Sequence, residues 1–251
     1  MPFTTVAYSE SQDSATLVNI AALADSHITV SGDDIRVPTG FDRLMAWYFL
    51  GPNFTLGQIE TPSLRRVGLL DVEPADVAAE PVSVPAFHDR FADPLQLRAN
   101  EVMRALGAED GTGATRVTAL YWLGSGPVEP VRGEIFTLRV TNATTLVANA
   151  WTNGALTFTQ VLPEGNYSLV GARMQAAGLQ AFRAVFTLGA QGHRPGAIGF
   201  DADGDIEPQR FRYGNAGVWG TFSDSAPPTM DFLSNSADTS QVGHLDVIHT
   251  G

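Results

Sequence analysis

The residues best placed to do chemistry form one acidic run. Asp201, Asp203, Asp205 and Glu207 recur at alternate positions around Gly204. Closely spaced carboxylates with a glycine for a sharp turn suit calcium, which takes about six to eight oxygens from acids and carbonyls. The order is not that of an EF-hand, and a solvated acidic turn is the alternative reading. Calcium is the one metal these residues suggest; no cofactor is required by any other feature.

The remaining candidates are weaker. The five histidines, His27, His88, His193, His244 and His249, show no metal-ligand spacing. His244 and His249 are five apart, which on a strand puts them on opposite faces. Ser125 in Gly124-Ser-Gly126 is not a nucleophile elbow. Gly111-Thr-Gly113-Ala-Thr-Arg116 starts like a dinucleotide fingerprint, but arginine replaces the third glycine and a strand is expected to follow. Glu60, Glu73, Glu134 and Glu164 lie near expected strand ends, where a pair could do hydrolytic work, yet nothing selects a pair. The tryptophans, Trp47, Trp122, Trp151 and Trp219, have apolar neighbours and read as core, not as a sugar-binding row. The sequons at Asn53, Asn142 and Asn166 read as chance in a chain rich in Asn, Ser and Thr. No catalytic motif emerges, and the chain is not expected to be an enzyme.

Composition narrows the classes further. Hydrophobic residues make up 44% of 251, enough to bury a core, and cysteine is absent, so no disulfide or thiolate metal site can staple it. The net charge of -12 argues against direct binding of nucleic acid, and Arg65-Arg66 is the only basic pair. Every basic side chain is arginine, whose planar fork suits subunit interfaces. The first residues do not read as a secretory signal and no run approaches the ~20 apolar residues of a membrane span, so synthesis and folding in a cytoplasm are expected.

The elements that must position these residues are mostly strands. Short apolar or alternating runs recur between Gly, Pro, Asn and Asp, a rhythm of sandwiches or barrels. Arg43–Phe49 has no polar break and reads as a strand buried on both faces. Thr152-Asn-Gly and Pro163-Glu-Gly-Asn read as turns, and Ser223–Ser240, with Pro227-Pro228, as a long loop. One helix is expected over 93–106. Asp93 would cap it, Pro94 would open it, Leu95, Ala99, Val102, Met103 and Leu106 would share a face, and Gly107 would stop it. The glycine-rich stretch after it divides the chain into a first β-sandwich over 1–110 and a second over 111–251. One elaborated sandwich is the alternative.

Dense short strands, Gly/Pro-rich turns, one helix between two β-rich halves, and the lack of cysteine and of catalytic signature resemble the jelly-roll capsid proteins of icosahedral viruses. The likeness is greatest to the compact double-jelly-roll coat proteins of membrane-containing phages. Asn53-Phe-Thr-Leu-Gly-Gln-Ile-Glu-Thr-Pro-Ser-Leu-Arg-Arg and Val161-Leu-Pro-Glu-Gly-Asn-Tyr-Ser-Leu-Val-Gly-Ala carry it. The resemblance implies a self-assembling coat subunit located in the virion and made in the host cytoplasm. It implies a homotrimeric block with other virion proteins and an internal membrane as partners. A carbohydrate- or receptor-binding sandwich of spike or adhesin type, stabilised by calcium, is the alternative.

Overall fold

The computed structural model describes residues 3–67, 70–72, 88–128, 130–187, 193–201 and 216–251. Its elements are strands, with one 3-10 turn at Leu64–Val67; no α-helix occurs among the described residues. The chain forms two compact units, Val6–Ser125 and Gly126–Gly251, the latter including Met1–Thr5.

The first unit contains β1 (Phe3–Gln12), whose first residues count with the second unit, then β2 (Val18–Ile20), β3 (Val30–Ser31), β4 (Asp34–Arg36), β5 (Arg43–Leu50) and β6 (Phe54–Glu60). It continues with β7 (Leu70–Val72), β8 (His88–Asp89), β9 (Leu95–Gln96), β10 (Val102–Glu109) and β11 (Thr115–Gly124). One sheet runs β1-β11-β5-β8, with β9 also on β5. The other runs β3-β4-β10-β6-β7, with β2 also on β10. The second unit contains β12 (Phe136–Asn142), β13 (Trp151–Ala155), β14 (Thr157–Phe158), β15 (Asn166–Ala176) and β16 (Leu179–Val185). After these come β17 (Gly196–Ile198), β18 (Phe200–Asp201), β19 (Gly220–Ser223), β20 (Thr229–Ser234) and β21 (Gln241–His249). Its sheets are β14-β12-β21-β15-β18, with β19 on β15, and β13-β20-β16-β17.

Both units obey one nested order. In the first, take β1, β2, β5, β6, β7, β8, β10 and β11 as strands one to eight. First pairs with eighth, second with seventh, third with sixth and fourth with fifth; eighth also pairs with third and seventh with fourth. In the second unit β12, β13, β15, β16, β17, β19, β20 and β21 repeat every one of these pairings. The order is that of a long hairpin folded back across itself. Pairs from the ribbon alternate between the two sheets, so the apolar faces of both meet in one core.

That core explains the local residue choices. In the first unit Tyr8, Phe49 and Tyr121 of one sheet pack with Phe54, Ile59 and Met103 of the other. Ring centroids are 5.1 Å apart for Tyr8–Tyr121 and 5.9 Å for both Phe49–Tyr121 and Phe49–Phe54. Two paired glycines make room for these rings. A Cβ on Gly57 would lie 2.5 Å from Phe49, and one on Gly107 2.8 Å from Phe54. β5 is buried along both faces beyond Arg43, as its unbroken apolar run implies. In the second unit Phe182 and Phe232 are cross-strand partners, and Trp219 stacks on Phe182 at 6.5 Å.

Several expectations are corrected. The segment expected as a helix over 93–106 holds β9 and the first half of β10, with a left-handed Asn100 between them (φ 62). Asp93 caps nothing; its carboxylate pairs with Arg90 at 2.8 Å. Buried Leu97 beside exposed Gln96, Arg98 and Ala99, then buried Met103 and Ala105 beside half-buried Val102 and Arg104, give a period of two. Val102 and Leu106, which the helical spacing grouped with Met103, turn to the other side of the strand and are only half-buried. Partners on β2, β4 and β6 decided for the strand, because backbone pairing there buries one face of β10. The unit boundary expected at 110/111 falls at 125/126. The glycine-rich stretch is the turn joining β10 to β11, with positive φ at Gly111 and Gly113, and β11 pairs along its length with β5. Thr152–Gly154 lies inside β13, not in a turn. The expected loop over Ser223–Ser240 contains β20, where Met230, Phe232 and Leu233 are buried.

Candidate functional site

The acidic run is only partly in view. Asp201 ends β18, which pairs in parallel with β15 through Ala176. Asp203, Asp205 and Glu207 lie outside the described residues. Among the described residues no three acidic or histidine side chains converge as metal ligands.

The histidines are dispersed. His88 stacks on Trp47 at 5.1 Å, and His249 lies 4.9 Å from the ring of Tyr167. His244 sits mid-β21, level with Arg139 on one side and Arg173 on the other. Of the acids near strand ends, Glu60 pairs with Arg65 at 2.8 Å and with Arg104 at 3.5 Å; Arg104 also meets Asp34 at 2.8 Å. Glu73 is outside the described residues. Trp47, Trp122 and Trp219 are buried, and Trp151 is half-buried beneath a guanidinium, so none of the four stands in an open row. Asn142 is buried with its amide donating to the Ala155 carbonyl at 2.6 Å, which removes that sequon as a glycan acceptor.

The structure assembles a cluster that no sequence motif marks. Asn153, Asp231 and Arg183 lie level across β13, β20 and β16. Arg183, 1% exposed, donates through Nε to Asp231 Oδ2 at 2.9 Å and through Nη1 to the Thr5 carbonyl at 3.1 Å. Its guanidinium lies 4.0 Å from the centre of the Trp151 ring, and Asn153 donates to Asp231 Oδ1 at 2.8 Å. These contacts tie three strands and the Thr5 backbone together, with both carboxylate oxygens of Asp231 accepting from neighbours within the unit. The one signal in the sequence was an arginine inside the apolar run Leu179–Phe186.

The N-terminal residues complete this unit. Thr5 N donates to the Arg194 carbonyl at 2.8 Å, Arg194 N donates to Thr4 Oγ1 at 3.3 Å, and Phe3 meets Trp219 edge-on at 5.6 Å. Exposed apolar side chains also concentrate here: Ile135, Phe136, Val147 and Val161, against Val18 in the first unit. Ile135 and Phe136 are consecutive at the start of β12 and offer the sort of contact a partner could cover.

In the first unit burial pushes the hydroxyls of Tyr8, Tyr48 and Tyr121 well above the usual tyrosine range; for Tyr8 the nearby Asp34 carboxylate adds to it. These groups are packed away from solvent, with Tyr8 donating to the Met103 carbonyl at 2.7 Å. They are structural.

No family model and no curated protein matches the chain. Among solved structures the chain is similar to the major capsid protein P2 from Bacteriophage PM2, over 99% of this chain and 98% of that one, at 10% identity and a TM-score of 0.25. A TM-score this low marks no close superposition, and the nested strand order stands independently of it.

Proposed function

We propose that the chain is a structural coat subunit of an icosahedral viral shell, built as two jelly rolls and assembling as a homotrimer. One observation carries this reading: the eight-strand nested order, the hallmark of jelly rolls, occurs in both units. A chain holding two copies of one sandwich presents similar sides twice, which suits symmetric tiling by few subunits. The rest of the molecule agrees with a role built from surfaces. Its buried Arg183–Asp231 pair ties strands together, its tryptophans are buried or half-buried, and its consecutive Ile135 and Phe136 are open to a neighbour. The charge of -12 supports a shell that encloses its genome without condensing it, with an internal membrane or other virion proteins at its inner face.

The test is light scattering of the purified chain across a dilution series, followed by electron microscopy. A trimer that builds tiles or shells is expected, with each subunit burying more than the ~1,600 Å² of a standard interface. A chain that is monomeric at every concentration overturns the proposal. Jelly rolls also serve as lectin domains, so glycan binding by such a monomer would favour the binding-module reading.

A further inference from the structure

Buried polar side chains recur at one place in both units. In the first, Gln12 closes the first ribbon strand and Thr115 opens the eighth; in the second, Asn142 closes the first and Gln241 opens the eighth. Gln12 and Gln241 are 9% and 1% exposed, and neither the oxygen nor the nitrogen of either amide has a hydrogen-bond partner among the described residues. The seventh strands end in buried Glu109 and buried Ser234.

The first-unit cluster is close-knit. Ser9 Oγ lies 3.0 Å from Thr118 Oγ1, and Gly113 N donates to Asp13 Oδ1 at 3.2 Å, so counting inward sets Gln12 beside Thr115. A Cβ on Gly107 would touch Gln12 Nε2 at 2.8 Å, which places that amide over β10, two residues from Glu109. Thr115 Oγ1 bonds with Glu109 Oε1 and with the Pro52 carbonyl at 2.7 Å. Glu109 Oε2 has no partner, and among the described residues no arginine pairs with this carboxylate, which is 1% exposed. A carboxylate out of water without a countercharge is among the costliest groups a protein can bury. The second unit shows the neutral version: Asn142 bonds to the Ala155 carbonyl and to Thr144 N, and Ser234 donates to the Ala177 carbonyl.

We propose that Glu109 Oε2, Gln12 Oε1 and Thr115 Oγ1 hold one hard monovalent cation of the sodium class inside the first unit. Carboxylate, amide and hydroxyl oxygens suit hard cations. One carboxylate is neutralised by one positive charge, whereas a divalent ion would leave a net charge in a low-dielectric interior. Exposed Asp13 and Asp110, fastened to the adjacent amides of Gly113 and Thr112, give the site an acidic mouth that raises the local cation concentration. The site is separate from the acidic run at Asp201–Glu207 and does not depend on the coat reading.

Thermal melting of the full chain in sodium chloride and in choline chloride of equal ionic strength tests it, because choline is too large to enter. Wild type is expected to melt higher in sodium, by roughly 3 °C or more. Glu109→Gln should erase the difference and melt in choline at or above wild type, since the charge in need of a partner is gone. Gln12→Met should shrink the difference and carries the test should the first variant fail to fold. Gln241→Met should retain the difference in full. Equal melting of wild type in both salts, or a difference that survives Glu109→Gln, overturns the proposal. So do crystals grown with thallium(I) in place of sodium that show no anomalous peak at this site, an ordered water only.

Discussion

Phe3 is the third residue of the chain, yet it should control the stability of the second unit. Its side chain is 0% exposed and meets the Trp219 ring at 5.6 Å, while Trp219 stacks on Phe182 of the opposite sheet. Phe3→Ala removes a fully buried ring and leaves a cavity, a change that costs about 3–5 kcal/mol in packed cores. At roughly 2–4 °C of melting temperature per kcal/mol, the transition that includes this unit should fall by roughly 6–20 °C. Hydrogen exchange read by mass spectrometry localises the effect. Amides of β16, β17 and β19 should exchange about two to four powers of ten faster, while those of β5 and β11 keep their protection. Unchanged exchange in β16, β17 and β19, or loss confined to β5 and β11, would refute the assignment of the N-terminal residues to the second core.

Further outcomes follow from the same structure. Arg183→Met leaves Asp231 buried without its partner and should cost about 3–5 kcal/mol in a denaturant melt, most of it recovered when Asp231→Leu is added. Met103→Asp should destabilise the chain far more than Val102→Asp, because Met103 is fully buried on β10 and Val102 is not; equal losses at both, as for one shared helical face, would refute the strand. Tyr8, Tyr48 and Tyr121 have hydroxyls raised by burial, so the folded state favours their neutral form. The stability they confer is complete below the ordinary tyrosine range and is lost as pH rises above about 10. Absorbance at the tyrosinate band should therefore show these three of the five tyrosines ionising only together with unfolding. For Asp201–Glu207, a lower melting temperature in chelator than in ~1 mM calcium, abolished by Asp203→Asn, is the outcome expected of an ion site; identical curves leave an acidic turn.

Class was legible in the residues, and placement was not. The unbroken apolar run of β5, the absence of cysteine and the recurrence of short runs between turn residues determined a cysteine-free, β-dominated chain with a substantial core. These are local properties, carried by side-chain type and spacing. The segment from Asp93 to Leu106 shows where local reading ends. Leu95, Val102, Met103 and Leu106 fit a helical face, whereas Met103 and Ala105 fit a strand face, so the choice fell to the partners that pair with β10. The glycine-rich stretch after it looked like a linker because glycine serves tight turns and linkers equally; only the pairing of β11 with β5 made it a turn within one unit. The contacts that matter most join residues far apart in the chain: Arg183 with Thr5, Gln12 with Gly107, Phe3 with Trp219. No window of sequence contains such pairs. They exist because the ribbon folds back on itself, bringing first strand against eighth and the chain's start against its second core, and that long-range pairing is a property of the tertiary structure alone.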